Sequence, residues 1–385
     1  MRQSTPLIFR KGRYSQMKIV CTKSNLTNGV ETVSKAVPSK TTMSILECIL
    51  IDTRNGEIKL IANDMELGIE TVIDGEIIEK GMIALDAKFF QKIVKNLPDS
   101  DITIETNDSY MTTIKCEKSN FNIPGKSGED FSFLPEIEKN DSVIVSQFTL
   151  KEIIRQTIFS ISDNDNNKLM TGELFEINDN TLKVVSLDGH RISIRKIVLK
   201  NSYNSKKVVV PGKTLNEVSK ILSGDMDKDV SIYFTDRHIL FEFDRTIVVS
   251  RLIEGEYFNI NQMLSSDYET KVKVNKKEFL ECINRATLLV MEGDKKPVII
   301  NISDSAMELK MNSAFGSMNE EIDIAKEGKD LMIGFNPKFL IDSLRVIEDE
   351  EVDLYMVNPK APCFIRNAEE TYIYVILPVN FTTVG

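Results

Sequence analysis

The chain has two histidines in 385 residues, and one of them is flanked by a carboxylate and a guanidinium. In the stretch VVSLDGHRISI, at 184–194, Asp188 precedes His190 by two positions and Arg191 follows it directly. An imidazole beside a carboxylate is a common arrangement for acid–base catalysis. Neither His190 nor His238, however, lies in a G-x-S-x-G sequence or near a cysteine that could act as a nucleophile. The alternative interpretation is that Asp188-Gly189 forms a turn between two strands.

Three further stretches resemble ligand-binding loops, but each lacks a required residue. VVVPGKTL, at 208–215, reads as strand, Gly-Lys-Thr and helix, but a P-loop needs a glycine where Lys207 stands. DNDNNK at 163–168 and DMDKDV at 225–230 alternate oxygen ligands as a calcium loop does, but neither has the glycine at its sixth position. We therefore expect no bound nucleotide, metal or other cofactor.

The composition, 42% hydrophobic and 28% charged, is typical of a globular protein. Five scattered cysteines without a CxxC pair argue against a disulfide framework or zinc site and favour a reducing cytoplasm. The sequence contains no run of 18 apolar residues, so it predicts no membrane-spanning helix. Residues 1–16 are basic and polar, and their apolar stretch is too short for a signal peptide, so we expect a disordered extension before Met17.

A repeat of 60 to 65 residues runs through the chain, with anchor positions at 21, 85, 145, 210, 274 and 335. Each copy predicts an amphipathic helix of about three turns, because apolar residues recur at i, i+3 and i+4. The segments between the helices alternate like strands and are separated by Asn, Asp and Gly turns. The pattern predicts an α+β fold in which pairs of units make three domains, at 17–139, 140–266 and 267–385.

Positive charge is concentrated in the predicted helices although the chain has a net charge of −10. The windows at 24–37, 86–96, 148–160, 212–222, 275–287 and 336–346 contain 13 Lys or Arg and 7 Asp or Glu, a net +6. Lys88, Lys92 and Lys95 share one helix face, as do Lys151 and Arg155. Any single helix of this kind could be an ordinary solvated face. Six of them on an acidic chain favour a surface that contacts phosphates without reading sequence.

Four segments, in their order along the threefold repeat, resemble a known family. They are MKIVCTKSNL at 17–26, VVSLDGHRISI, SRLIEGEYFNINQML at 250–264 and YIYVILPVNF at 372–381. They are similar to segments of the bacterial DNA polymerase III beta subunit, the sliding clamp. The resemblance covers residues 17–381 and leaves the N-terminal extension outside it.

The resemblance implies three similar domains per chain, each with two helices inside and sheets outside. Two chains would close head-to-tail into a ring through which duplex DNA passes. The ring would catalyse no reaction. It would tether the DNA polymerase III catalytic subunit, and other replication and repair proteins with a clamp-binding motif, at the template. A separate clamp loader would open it, and it would act in the cytoplasm.

The family's partners dock a short peptide in a pocket between the middle and C-terminal domains. Carrying that pocket over residue by residue predicts an apolar groove with methionines for adaptability and a few polar groups for orientation. Phe258 stands where the family often has proline and Asn380 where it often has arginine, so the peptide preference stays open. The predicted pocket residues are Met170, Leu187, Gly189, His190, Arg191, Ile192, Phe258, Met263, Asn336, Phe339, Val375, Leu377, Pro378 and Val379.

The predicted DNA-facing residues are basic residues of the helical windows and of two loops. They are Lys40, Lys88, Lys92, Lys95, Lys151, Arg155, Lys168, Lys213, Lys220, Lys276, Lys277, Arg285, Lys338 and Arg345.

Two other functions remain as alternatives. One is a scaffold of the same fold that binds peptides but has lost its affinity for DNA, which neutralising Lys88, Lys92 and Lys95 would distinguish. The other is a nucleotide-binding protein that uses residues 212–214, for which calorimetry with ATP is the discriminating measurement.

Overall fold

The computed structural model describes residues 16–164, 166–264, 267–291 and 296–381. Residues 1–15 of the predicted extension lie outside this part of the chain. The chain divides into two compact units. Unit 1 comprises Met1–Ser146 and Asp227–Arg251, and unit 2 comprises Gln147–Met226 and Leu252–Gly385.

Six α-helices form within the described residues, one in each predicted window. They are α1 (Lys23–Val33), α2 (Ala87–Asn96), α3 (Gln147–Arg155), α4 (Gly212–Ile221), α5 (Lys276–Thr287) and α6 (Pro337–Val346). None is long and apolar enough to cross a membrane.

Polar side chains form hydrogen bonds with the backbone at several helix ends. Asp86, Asn275 and Asn336 each accept a hydrogen bond from a backbone N–H of the first turn of α2, α5 and α6. α3 ends before its predicted window does, and just beyond its end the Thr157 hydroxyl donates to the carbonyl of Ile153. A short 3₁₀ turn, Ile158–Ser160, follows.

Twenty-three strands form within the same described ranges, close to the predicted four per repeat. They are β1 (Met17–Thr22), β2 (Cys48–Asp52), β3 (Ile58–Asn63), β4 (Leu67–Ile73), β5 (Glu76–Glu79), β6 (Met82–Asp86), β7 (Asp101–Thr106), β8 (Met111–Cys116), β9 (Ser119–Ser127), β10 (Val143–Ser146), β11 (Gly172–Leu187), β12 (Arg191–Pro211), β13 (Asp229–Phe234), β14 (His238–Phe243), β15 (Thr246–Arg251), β16 (Thr270–Asn275), β17 (Val298–Ser303), β18 (Ala306–Ser313), β19 (Gly316–Gly328), β20 (Leu331–Phe335), β21 (Glu351–Met356), β22 (Cys363–Arg366) and β23 (Tyr372–Ile376).

Unit 1 is built on one antiparallel sheet in the order β10-β13-β14-β15-β4-β3-β2-β6-β9-β8-β7-β1-β5. Strand β15 lies far from β4 in sequence but pairs with it over five residue pairs, from Thr246–Thr71 to Ser250–Leu67. Helices α1 and α2 pack against each other in this unit. The β4–β15 ladder therefore joins the first repeats of the chain to the fourth.

Unit 2 is built on a second antiparallel sheet in the order β11-β12-β23-β22-β21-β16-β19-β18-β17-β20. Here β12 pairs with β23 over five residue pairs, from Arg191–Ile376 to Arg195–Tyr372. Helices α3 and α4 pack as one pair and α5 and α6 as another. Phe279 of α5 and Leu340 of α6 are fully buried in the core that they share with β16–β22.

The two units cut across the middle predicted domain, 140–266. Its strands β10, β13, β14 and β15 belong to unit 1, whereas α3, α4, β11 and β12 belong to unit 2. This division follows from the β4–β15 and β12–β23 ladders, which each continue a sheet from one predicted domain into the next. The domain boundaries at 139/140 and 266/267 stay predictions.

Candidate partner pocket and basic helix faces

A tight turn joins β11 to β12 and places His190 at the surface. One carboxylate oxygen of Asp188 accepts from the backbone N–H groups of His190, at 3.0 Å, and Arg191, at 3.1 Å. Gly189 has a φ of +87°, which favours glycine, although a Cβ there would touch nothing within 4 Å. The turn interpretation of Asp188-Gly189 is therefore confirmed.

Arg191 ties the turn to helix α6. Its Nε donates to the second oxygen of Asp188 at 3.0 Å, and its Nη1 donates to Asp342 at 2.7 Å. Its third bond goes to the carbonyl of Phe159, and its guanidinium lies 4.5 Å from the ring centroid of Phe339. The side chain is 7% exposed. Both partners of the suspected His-Asp-Arg cluster thus bond to each other and to the fold, and neither orients the imidazole.

A cavity of about 460 Å³ opens beside this turn, within unit 2. Its wall is largely apolar, with β11, β12 and β23 as its floor and the 258–263 segment as one side. Its volume lies in the range of sites that hold small ligands or anchoring side chains. The lining residues are Met170, Leu187, Gly189, His190, Arg191, Ile192, Phe258, Met263, Pro362, Val375 and Leu377.

Ten of the fourteen predicted pocket residues line this cavity, and four do not. Asn336 caps helix α6, and Phe339 lies behind the wall, against Arg191 and 6.1 Å from the His190 ring. Val379, which follows Pro378, donates its backbone N–H to Gly334 at 2.8 Å. These residues support the wall because they hold the helix and the C-terminal segment in place.

Pro362 lines the cavity and was not among the predicted residues. It lies in the turn NPKAPC that precedes β22. Prolines are common in turns, so nothing in the local pattern distinguished it.

Three side chains give the pocket an adaptable, solvent-facing rim. Met263 is 53% exposed and Leu377 is 39% exposed, although both are apolar. His190 is also exposed, and its carbonyl accepts the backbone N–H of Leu377 at 2.9 Å. Exposed apolar groups around a concave wall are typical of a binding surface.

Helix α2 of unit 1 carries a basic face. Lys88, Lys92 and Lys95 are exposed, and none has an ion-pair partner among the described residues. Phe90 and Val94 are buried on the other side of the helix. Three ammonium groups on one face can contact phosphates directly.

Two predicted DNA-facing lysines have another role, which a third lysine shares. In each helix pair, a lysine of the first helix donates to the carbonyl of the residue that directly follows the second helix. The bonds are Lys23 to Leu97, Lys151 to Leu222 at 3.0 Å and Lys276 to Ile347 at 2.7 Å. Lys151 and Lys276 therefore cap helix ends in unit 2, where cations offset the negative end of the helix dipole.

Several other predicted basic residues are ion-paired. Arg155 bonds to Glu152, and this hydrogen bond raises the pKa of the guanidinium. Arg285 pairs with Glu320, and that hydrogen bond lowers the pKa of the Glu320 carboxyl. Further pairs are Lys220–Glu217 at 2.7 Å, Lys277–Glu281 at 4.0 Å and Lys338–Asp342 at 2.8 Å.

The remaining four basic residues of the prediction are exposed. They are Lys40, Lys168, Lys213 and Arg345.

The other groups that could do chemistry are placed for structure. His238 lies in β14 opposite Arg251, and burial together with Arg251 and Arg237 lowers its pKa. All five cysteines are buried free thiols, and burial raises the pKa of Cys21 and Cys363 to about 12. A thiol with so high a pKa is a poor nucleophile at neutral pH.

The stretch at 208–215 that resembled a P-loop has a packing role. A Cβ on Gly212 would lie 2.3 Å from Ile161, so this glycine permits close packing at the start of α4. Thr214 is buried. Part of the 163–168 loop lies outside the described residues. Across the part of the chain that is described, no cluster of three or more His, Cys, Asp or Glu could hold a metal ion.

Repeated helix pairs on antiparallel sheets, together with an apolar pocket, define a clamp-type binding protein. Comparison with known proteins agrees with this class. The chain matches models of the DNA polymerase III beta subunit over its N-terminal domain at 17–135, its central domain at 144–259 and its C-terminal domain at 261–380. The chain belongs to this family, the beta sliding clamps, which are non-catalytic processivity subunits of a replicative DNA polymerase.

Individual relatives are similar over nearly the whole chain. The beta sliding clamp of Staphylococcus epidermidis is 32% identical over 375 residues, which cover 94% of this chain and 99% of that protein. A structure solved as a DNA polymerase III beta subunit from Eubacterium rectale is 70% identical, with a TM-score of 0.93, and covers 95% of this chain and 100% of that one. The DNA polymerase sliding clamp of Bacillus subtilis is 33% identical, with a TM-score of 0.92, and the match covers 96% of this chain and 100% of that one.

Proposed function

We propose that two copies of this chain close head-to-tail into a ring that encircles duplex DNA and tethers the DNA polymerase III catalytic subunit. A clamp loader opens the ring, and other replication and repair proteins bind the same pocket in turn. The site of action is the cytoplasm, where the five free thiols stay reduced. The observation that carries the proposal is that residues 119–124 of β9 and 316–323 of β19 each pair with only one neighbouring strand among the described residues.

Strand pairing between repeats supports the head-to-tail arrangement. The ladders β4–β15 and β12–β23 each join a strand of an odd repeat to the last strand of an even repeat. The equivalent strands that remain are β19 and β9. Residues 119–124 of β9 and 316–323 of β19 are each paired on one side within the described chain. A ring follows if β19 of one copy pairs with β9 of the other.

The two internal ladders also predict the register of this junction. Their central pairs are Ile69–Val248 and Ser193–Tyr374. The equivalent pair between two copies is Met318 opposite Phe121. Phe121 is 40% exposed and Met318 is half-buried, as expected for side chains that a partner strand covers.

The basic face of α2 supports contact with DNA. Its lysines are suited to phosphates and carry no base-specific groups. A clamp that holds DNA in this way can move along it, because every site along the backbone presents the same charge.

The apolar cavity supports peptide docking. It offers a buried floor at Leu187, Ile192 and Val375 with an adaptable rim at Met263 and Leu377. Such a wall suits apolar anchor side chains of a short segment.

A disulfide crosslink tests the ring directly. Because directly opposed residues of an antiparallel ladder are close enough for a disulfide, the double variant F121C/M318C is expected to form a covalent dimer on mild oxidation. The matched control F121C/N319C places its cysteines on opposite faces of the proposed ladder and is expected to crosslink poorly. A mass of one chain in solution, or equal crosslinking in both variants, would contradict the proposed junction.

A further inference from the structure

The segment that contains β12 is basic, unlike the chain as a whole. Residues 189–216 contain seven Lys or Arg and no Asp or Glu, whereas the whole chain has a net charge of −10. Lys213 belongs to helix α4, and Arg191 is the first residue of β12, next to the turn. The other cations of the run belong to the long hairpin of β11 and β12, away from the helix faces described above.

The hairpin bends sharply and creates a second concave site. Glu176 and Lys183 form an ion pair at 3.1 Å although they are seven residues apart in β11, where a straight strand would separate them by roughly 23 Å. The bend occurs at Asp179, which has a φ of +52° and interrupts the ladder with β12. On its concave side lies a cavity of about 640 Å³.

Lysines dominate the wall of this cavity. Lys183, Lys196, Lys206 and Lys207 line it, against the single carboxylate of Glu176. Lys183 pairs with Glu176, and Lys196 pairs with Glu370 at 3.6 Å. Lys206 and Lys207 are exposed, and neither has an ion-pair partner among the described residues. The cavity therefore presents two uncompensated positive charges.

Three of the four lysines of this cavity lie on the same face of the hairpin as the apolar pocket. Side chains two residues apart in a strand share a face, and Lys183, Lys196 and Lys207 each lie two residues from a core residue of the pocket side. Those core residues are Val185, Ile194 and Val209. Lys183 is four residues from the pocket residue Leu187, which corresponds to about 13 Å along the strand.

We infer that the cavity at Lys206 and Lys207 is a second subsite for partner proteins and takes an acidic segment that flanks the docked peptide. The inference rests on the proposed peptide-docking function. Charge complementarity and the face that Lys207 shares with the pocket favour an acidic peptide, and four to five extended residues span the roughly 13 Å from Lys183, in the cavity wall, to the pocket. Duplex DNA is disfavoured because helix α4 packs against β11 and β12 and the cavity lies on the face with the pocket.

Peptide binding with and without an acidic extension tests the inference. The probe is a synthetic peptide with the pocket-docking sequence of the polymerase catalytic subunit from the same organism. It is extended at either end by a four-residue Gly-Ser linker and then four Asp or four Ser. We expect the Asp peptide, at one of the two ends, to bind about threefold to tenfold more tightly than its Ser counterpart at low salt. Fluorescence anisotropy at low and moderate salt measures the difference, which salt should reduce.

Two variants test whether the tighter binding of the Asp peptide depends on the cavity. K206S/K207S is expected to lose the advantage of the Asp peptide and keep the affinity for the Ser peptide. The matched control K80S/R237S removes two exposed cations of unit 1 and is expected to keep the advantage. No advantage at either end, or an advantage that survives in K206S/K207S, overturns the inference.

Two further outcomes separate this inference from the proposed function. If the Ser peptide fails to bind the unmodified protein, the pocket itself is wrong. If K206S/K207S weakens retention on DNA and leaves both peptides unaffected, the cavity is a DNA contact and the acidic-peptide inference is overturned.

Discussion

At the scale of single residues, the turn at 187–191 combines a pattern that resembles a catalytic cluster with a place in the wall of an apolar cavity. The sequence placed His190 beside Asp188 and Arg191, and the family resemblance placed it in a pocket wall. In the structure His190 lines a cavity, Asp188 bonds to Arg191, and Arg191 bonds to Asp342. Local sequence could not reveal the bond to Asp342, which is 151 positions away.

Two substitutions in this turn should separate recognition from stability. H190A removes an exposed ring and is expected to lower peptide affinity modestly, with little change in Tm. R191K keeps the charge but loses the planar guanidinium that bonds Asp188, Asp342 and Phe159. We therefore expect it to lower both peptide affinity and Tm, with a stability loss of about 1–3 kcal/mol. Thermal melting and peptide titration of the two variants measure the contrast. Equal Tm values would show that the Arg191 network does not support the wall.

The pocket rim gives a stronger single-residue test. A charged residue in place of Leu377, as in L377E, would lie against an apolar wall and is expected to lower affinity for a polymerase-derived peptide by about tenfold or more. V198E, a change at a 78%-exposed site in the same unit, serves as the control. An L377E variant that binds as well as the unmodified chain would refute the pocket assignment.

A buried carboxyl in β11 makes the fold sensitive to pH. Glu173 is 0% exposed, and neither of its carboxyl oxygens has a hydrogen-bond partner among the described residues. Burial raises its pKa well above the ordinary value, while the nearby Thr157 hydroxyl opposes the shift. The folded chain therefore keeps a proton that the unfolded chain loses above about pH 4.3. The stability from this group is fully present below that pH and is lost as the pH rises towards the folded pKa.

Replacing Glu173 with glutamine should remove this sensitivity. E173Q is expected to melt at a higher temperature than the unmodified chain at pH 8, with a gain of about 2–4 °C for each 1 kcal/mol recovered. The difference between the two proteins is expected to shrink as the pH falls towards 5. Tm measured from pH 5 to pH 8 tests the slope, and a constant difference across this range would show that Glu173 titrates normally in the fold.

At the scale of elements, the helices were predictable from apolar periodicity, and their number and positions were confirmed. What periodicity could not predict was the use of individual cations. Lys276 and Lys277 are adjacent and chemically identical, yet Lys276 caps α6 at the Ile347 carbonyl and Lys277 is 83% exposed. The partner helix, about 60 residues away, decides between these roles.

This pair of lysines provides its own control. K276M keeps an apolar stem but removes the ammonium from the end of α6, so it is expected to lower stability by about 0.5–1.5 kcal/mol. K277M is expected to leave stability within about 0.5 kcal/mol of the unmodified chain. Denaturant unfolding compares the two, and equal losses would contradict the capping role.

The basic face of α2 should act on DNA alone. K88Q/K92Q/K95Q is expected to weaken DNA retention, with the salt dependence of binding reduced by up to about 0.9 for each phosphate that the variant no longer neutralises. Peptide affinity is expected to stay unchanged. The control K80Q/K115Q/R237Q removes three exposed cations from the same unit. If the two variants retain DNA equally well, the helix face does not bind DNA.

At the scale of the whole molecule, the repeat is what made the fold predictable. Six copies and their family resemblance predicted the α+β class and the helix pairs before any spatial neighbour was known. The strand ladders between repeats were beyond the sequence, because β4 and β15 pair across more than 170 positions through residues with ordinary strand composition. The same ladders supply the register of the proposed junction, in which Phe121 would lie opposite Met318 of a partner chain.

The most direct test of a ring is its behaviour on closed and open DNA. The protein is loaded onto a nicked circular plasmid by the clamp loader of the same organism, and bound protein is separated from free protein by gel filtration. We predict that the protein stays with circular DNA in moderate salt and is released when one restriction cut makes the plasmid linear. Oxidised F121C/M318C rings, closed after loading, should show the same release. Protein that remains bound equally to circular and linear DNA would contradict the topological link.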